Sequence, residues 1–241
     1  MPFTFSHPAI VLPFKRLTPK WLSMTGLIIG SLLPDFEYFI RMRMRSTFSH
    51  NLSSIFWFNL PLGILLAFIF HNIIRDTLID NLPYFFKTRL YKLKNSNWNL
   101  YFKKNWYVII YSFLIGILSH LFWDSFTHWN GYFVKKFPIL KTYIFFWGEK
   151  QHLLRLLQHS STLIGGLVIL IFMIKLPQNT TVSSKISLKY WIMLVVLFLL
   201  ILFGRIFTGI NYKDFGNLVV NIISSSLLSL LITSIIYKHS S

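Results

Sequence analysis

The sequence contains no cysteine, which excludes disulfides, thiolate catalysis and cysteine-based zinc or iron–sulfur sites. Any metal ion must therefore be held by His, Asp, Glu or water. Acids are scarce too: seven Asp and Glu stand against 24 Lys and Arg, a formal net charge of +17. Only 13% of the 241 residues are charged and 54% are hydrophobic, more apolar side chain than a water-facing surface can hide. Lipid must be part of the solvent. In a soluble chain the positive balance would point to nucleic acid. Here the cations lie between apolar runs, where anionic headgroups attract them by about 1 kcal/mol each. The bilayer, with its anionic lipids, is the expected partner and nucleic acid is not.

Five stretches, Ser53–Phe70, Trp106–Trp123, Ser160–Ile174, Tyr190–Gly204 and Asn217–Tyr237, hold no Asp, Glu, Lys or Arg. Runs of this length cross a hydrocarbon core of roughly 30 Å as helices. The expected fold is all-α, a polytopic helical membrane protein with about five transmembrane helices. Trp21–Leu33 is shorter, contains Gly26 and Gly30 and stops at Pro34-Asp35, which fits a re-entrant or interfacial helix. The N-terminus lacks the basic and apolar regions of a secretory signal and is expected to stay in the mature protein. Residues 1–241 read as a single membrane-embedded domain, with 1–165 carrying the motifs and 166–241 supplying C-terminal transmembrane helices. Arg75–Lys104 holds seven cations against Asp76 and Asp80, which makes it a cytoplasmic loop by the positive-inside rule. Trp57, Trp106, Trp129 and Trp147 read as interfacial belt residues. Glu149-Lys-Gln-His152 reads as a headgroup-level amphipathic segment.

His120 and Asp124 are one helical turn apart and project from one face, with His128 a further turn along. Two donors at this spacing can share one cation. An isolated pair of this kind more often hydrogen-bonds between helices, and either role implies a partner, because ionisable groups inside a membrane are expensive. Alternation of spans puts His50, Asp124–His128 and His159 on one membrane face. With so few acids, Asp35 after a proline draws attention. His7, Asp35, His50, His120, Asp124 and His128 together make six nitrogen and oxygen donors, enough for one or two metal ions. His71, at the end of the first apolar run, reads as a cap of last-turn carbonyls or an imidazole at the headgroups, and Arg205 as a snorkelling cation.

Several segments resemble the bacterial membrane proteins of domain-of-unknown-function family 4184. They are Met1-Pro-Phe-Thr-Phe-Ser-His7, Gly30-Ser-Leu-Leu-Pro-Asp35-Phe-Glu-Tyr38, Ser49-His50-Asn-Leu, Asn59-Leu-Pro-Leu-Gly63, Phe70-His71, Leu118-Ser-His120-Leu-Phe-Trp-Asp124-Ser-Phe-Thr-His128 and His159-Ser-Ser-Thr-Leu-Ile-Gly165. More distantly, the order His, Pro-Asp, Ser-His, His-x-x-x-Asp is similar to the membrane-bound metal-dependent hydrolases. These in turn resemble the zinc-dependent phospholipase C and single-strand nuclease superfamily. That likeness implies a Zn²⁺-dependent hydrolase acting on a phosphoester or lipid-derived substrate at one bilayer face of a bacterial inner membrane. It implies His7, Asp35, His50, His120, Asp124 and His128 as metal ligands, with Asp35, His120 and Asp124 closest to the chemistry. His159 is followed four residues later by Leu163 rather than Glu, and no N-terminal Trp supplies an amine, which implies fewer than three ions. The alternative is a non-enzymatic scaffold or transporter-like protein whose His/Asp cluster is structural.

Overall fold

The computed structural model describes residues 3–17, 21–146, 148–209 and 214–240. Met1 and Pro2 of the N-terminal motif and the proposed belt residue Trp147 lie outside them. The chain is an all-α polytopic membrane fold. Five helical stretches are long and apolar enough to cross a membrane: Ile55–Asn81, Trp98–Lys136, Leu153–Ile174, Leu188–Phe207 and Phe215–Lys238. In the most apolar window of Leu188–Phe207, of mean hydropathy 2.5, only 6% of residues are buried by protein. A helix this apolar and this uncovered is solvated by lipid.

The chain forms α1 (Pro8–Leu17), α2 (Met24–Leu32), α3 (Phe36–Arg41), α4 (Leu60–Ile69), α5 (Arg75–Asn81), α6 (Tyr84–Leu90), α7 (Trp98–Thr127), α8 (Tyr132–Lys136), α9 (Leu153–Ile174), α10 (Leu188–Phe207) and α11 (Phe215–Ser240). Widened π-turns at Ile55–Asn59 and Phe70–Ile74 flank α4, and α7 breaks helical geometry at Asn105. The expected amphipathic segment around Glu149 is instead half of a two-stranded antiparallel hairpin. Here β1 (Tyr143–Phe146) pairs with β2 (Glu149–His152) in a register that sets Phe146 opposite Glu149. Gly148 takes φ +81° in its turn, a conformation that favours glycine.

Two compact units share these elements. The first comprises Met1–Pro34, Ser49–Gly63 and Trp106–Ile174. Its organising contact is α2 against α7 through glycine. A Cβ on Gly26 would meet Ser112 Cβ at 2.6 Å, one on Gly30 the Phe113 carbonyl oxygen at 2.6 Å, and one on Gly116 the Leu27 carbonyl oxygen and Ser31 amide nitrogen, each at 2.6 Å. Small residues spaced by four on both partners let the two backbones touch, the packing that membrane helices use in place of a hydrophobic drive. Ser112 Oγ accepts from the Ser23 amide at 2.8 Å and helps seat α2 at its start.

The second unit comprises Asp35–Phe48, Ile64–Asn105 and Lys175–Ser241. The segment read as a charged loop is here a folded cap of α5, α6 and a 3-10 turn. Arg75 is 5% exposed and donates to the Ser96 carbonyl and hydroxyl at 2.8 and 2.7 Å and to Asp76 at 2.7 Å. Lys87 is buried and donates to the carbonyls of Asp80 and Lys185. Several of its cations therefore serve packing rather than headgroups. His71 also departs from its expected capping role. The π-turn carries the helix past it, and its ring stacks on Trp98 with centroids 4.1 Å apart. On α11 a stripe of buried Ser224, Ser225, Ser229, Thr233 and Ser234 presents small polar groups to the interior.

Candidate metal centre

Three separate segments of the first unit converge on Asp124. His120 and Asp124 come together because α7 is helical across them. His120 Nε2 lies 3.3 Å from Asp124 Oδ2, and the ring is fully buried. Its other nitrogen, Nδ1, is 2.7 Å from the Ser31 carbonyl oxygen. A carbonyl can only accept, so Nδ1 carries a proton, which leaves Nε2, facing Asp124, as the nitrogen able to bind an ion. This is how a metal-ligating imidazole is oriented by an outer partner. The close packing at Gly30 and Gly116 brings that carbonyl within reach.

His7 arrives from the N-terminus. Its turn, Thr4–Ser6, is tied to α9 by Phe3 N–H donating to Thr162 Oγ1 at 3.0 Å and by Ser6 Oγ donating to the Thr162 carbonyl at 3.2 Å. Gly165 makes the approach possible, since a Cβ there would stand 2.8 Å from Ser6 Cβ. The His7 ring is 4% exposed and stacks on His120 at 3.8 Å, and its Nε2 lies 3.7 Å from Asp124 Oδ1. His50 comes from a loop whose Ser49 carbonyl accepts from both Asn59 Nδ2 at 3.0 Å and Ser54 Oγ at 3.1 Å. His50 Nε2 lies 3.6 Å from Asp124 Oδ2. One donor atom from each of His50, His120 and Asp124 falls within 4.8 Å of the others.

These separations have a chemical meaning. Charge-assisted hydrogen bonds between imidazole and carboxylate run at about 2.7–2.9 Å, shorter than the 3.3–3.7 Å seen here. Two ligands bound at about 2.0–2.1 Å to one tetrahedral ion stand about 3.3–3.4 Å apart. The donors are thus spaced close to the edge of a zinc polyhedron. Asp124 is 6% exposed, its ion-pair partners are histidines, and a buried carboxylate needs positive charge nearby. Its two oxygens divide the set, Oδ2 facing His50 and His120 while Oδ1 faces His7.

The other expected ligands fall as follows. His128 Nδ1 lies 3.0 Å from the Asp124 carbonyl and donates to it, which leaves Nε2 as the atom able to bind an ion. Asp35 is the first residue of the second unit, one peptide bond beyond Pro34, and is fully buried. His159 is exposed on α9. His152 packs tilted against Tyr143 in the hairpin, ring centroids 3.9 Å apart, and its Nδ1 lies 2.9 Å from the Lys141 carbonyl. Two contributors are not evident from donor chemistry alone: Ser31 through its carbonyl on His120, and Asn59 through its side chain on the Ser49 carbonyl.

No curated protein and no solved structure matches this chain. A family model described as "Domain of unknown function (DUF4184)" matches residues 1–235. With that match spanning nearly its whole length, the chain belongs to the DUF4184 family.

Proposed function

We propose that the cluster around Asp124 holds one or two divalent ions, zinc foremost, and that the protein is a metal-dependent hydrolase acting on a phosphoester or lipid-derived substrate at one face of a bacterial inner membrane. The observation that carries this reading is the convergence of His7, His50 and His120 on one buried carboxylate by Nε2, at 3.3–3.7 Å, close to the separation of two ligands on one zinc ion. A divalent ion in such a site supplies the charge that makes water a nucleophile near neutral pH and polarises an ester oxygen.

The residues of the chain then have distinct tasks. Ser31 holds His120 in its ligating tautomer, and Asn59 and Ser54 hold the loop that carries His50. Asp124 contributes one oxygen to each half of the set. Asp35 and His128 complete the ligand set on the strength of the sequence pattern, and a carboxylate oxygen left off the ion would take the proton from water.

Elemental analysis of detergent-purified protein, dialysed against metal-free buffer, tests the reading. We expect about one or two zinc ions per chain, the capacity of this donor set, and their loss in His120→Ala/Asp124→Ala. Zinc-containing protein should then release product from phosphoester lipids, and the double variant should not. If neither protein carries metal and the variant is merely less stable, the cluster is a packing device and the protein a scaffold.

A further inference from the structure

Within the first unit a cavity of about 590 Å³ lies between the start of α1, the end of α7 and the first half of α9. Its size is that of a small-molecule pocket. Ile10, Phe122, Phe126, Ile164 and Val168 make its walls largely hydrocarbon. Two polar groups among them point to a ligand. His7 lines the cavity and also aims Nε2 at Asp124. Thr127 lines it while only 4% exposed, and its hydroxyl makes no hydrogen bond among the described residues. A buried hydroxyl in that state is costly, and a ligand oxygen beside it would satisfy it.

The cavity's dimensions match the bilayer. Its lining on α9 runs from Leu157 to Val168, about 16 Å at 1.5 Å per residue. One leaflet of a hydrocarbon core is about 15 Å deep. Both α7 and α9 belong to membrane-crossing stretches, and Phe122 and Ile164 on the lining are 53% and 60% exposed. Exposed apolar side chains on crossing stretches suit acyl chains better than water.

We propose that this cavity is an intramembrane seat for one acyl chain of a glycerolipid, the chain lying against Phe122, Ile164 and Val168 and an ester oxygen meeting the Thr127 hydroxyl beside His7. Casting that lipid as the substrate rests on the metal-centre reading. The seat itself does not.

The test is to irradiate the protein in phosphatidylglycerol vesicles whose lipid carries a diazirine on one acyl chain, then map the labelled peptides and measure zinc in the same samples. Label should concentrate on Phe122–Thr127 and Leu157–Val168. Val168→Trp and Ile164→Trp, which fill the cavity from two positions, should each lower it about fivefold or more, the loss of roughly 1 kcal/mol of binding, with zinc content unchanged. Leu170→Trp, at an exposed position of α9 outside the cavity, should leave it unaltered. The metal-free His120→Ala/Asp124→Ala protein should keep its label, so that a failed metal reading and a failed seat are told apart. Label spread evenly over α9 and α10, label undiminished in both Trp variants, or cross-links between two copies in its place would overturn the proposal.

Discussion

Gly116→Ala is expected to destabilise the protein by about 2 kcal/mol, within the range of overpacked interiors, and Gly116→Leu by more. At an ordinary helix position the alanine would gain about 1 kcal/mol in propensity. Here its Cβ would stand 2.6 Å from both the Leu27 carbonyl oxygen and the Ser31 amide nitrogen and 2.8 Å from the Gly30 carbonyl carbon. All three are backbone atoms, so relief requires α2 to move away from α7 as a body. That motion also withdraws the Ser31 carbonyl from His120 Nδ1 and frees the imidazole to turn. If the cluster holds zinc as proposed, its affinity should fall about 10–100-fold, the usual effect of losing an outer partner of a metal-bound histidine. Gly166→Ala is the control, because nothing lies within 4 Å of its built Cβ. It should be neutral or stabilising by up to about 1 kcal/mol. Thermal unfolding in detergent, with zinc titration on the same samples, separates the two outcomes. Equal melting of the Gly116 and Gly166 variants would refute the packing argument.

Glu37→Ala should cost about 3 kcal/mol, the lower end of the range for breaking a buried charged network. Glu37 is 1% exposed, and its carboxylate accepts from the Thr47 amide (2.9 Å), Thr47 hydroxyl (2.7 Å), Phe48 amide (3.1 Å), Ser46 hydroxyl (3.1 Å) and Arg41 Nε (2.8 Å). Arg41 contributes least, since its side chain is 38% exposed and water screens the pair. The larger loss comes from the hydrogen bonds that converge on the buried carboxylate, of which those from the Thr47 and Phe48 amides hold the main chain of the turn. This network fastens the Met42–Phe48 turn, and the chain runs from it directly into Ser49-His50. Glu37→Gln retains one acceptor oxygen and should cost about 1–2 kcal/mol, the range for individual hydrogen bonds. Hydrogen exchange at Thr47 and Phe48 should accelerate in Glu37→Ala and much less in Glu37→Gln. Unchanged exchange in both would show that the turn holds itself.

Much of the membrane architecture is legible without coordinates. Uninterrupted apolar runs mark all five crossing stretches, because lipid imposes a minimum length and penalises charge inside it. The boundaries were less legible. The helix after Ser53 continues through His71 to Asn81, and that after Trp106 begins upstream, because helices extend past the first polar residue wherever tertiary partners satisfy it. Arg75 and Lys87 are such cases, read as loop cations by charge counting but buried against carbonyls. The hairpin at Tyr143–His152 escaped because its four-residue strands lie between helices and one short strand carries little periodicity.

The candidate site divides along the same line. That His120 and Asp124 share a helix face follows from the sequence by itself, because 3.6 residues per turn leaves no alternative once the run is helical. So does the supply of donors, since a chain without cysteine and with seven acids has few other ligands to offer. Only the tertiary structure decided that His7 and His50, far from Asp124 along the chain, bring Nε2 to within 3.6–3.7 Å of its oxygens. It also decided that His7 and Thr127 line one apolar cavity. Both depend on backbones meeting at Gly30, Gly116 and Gly165, where absent Cβ atoms permit an approach that apolar periodicity does not encode.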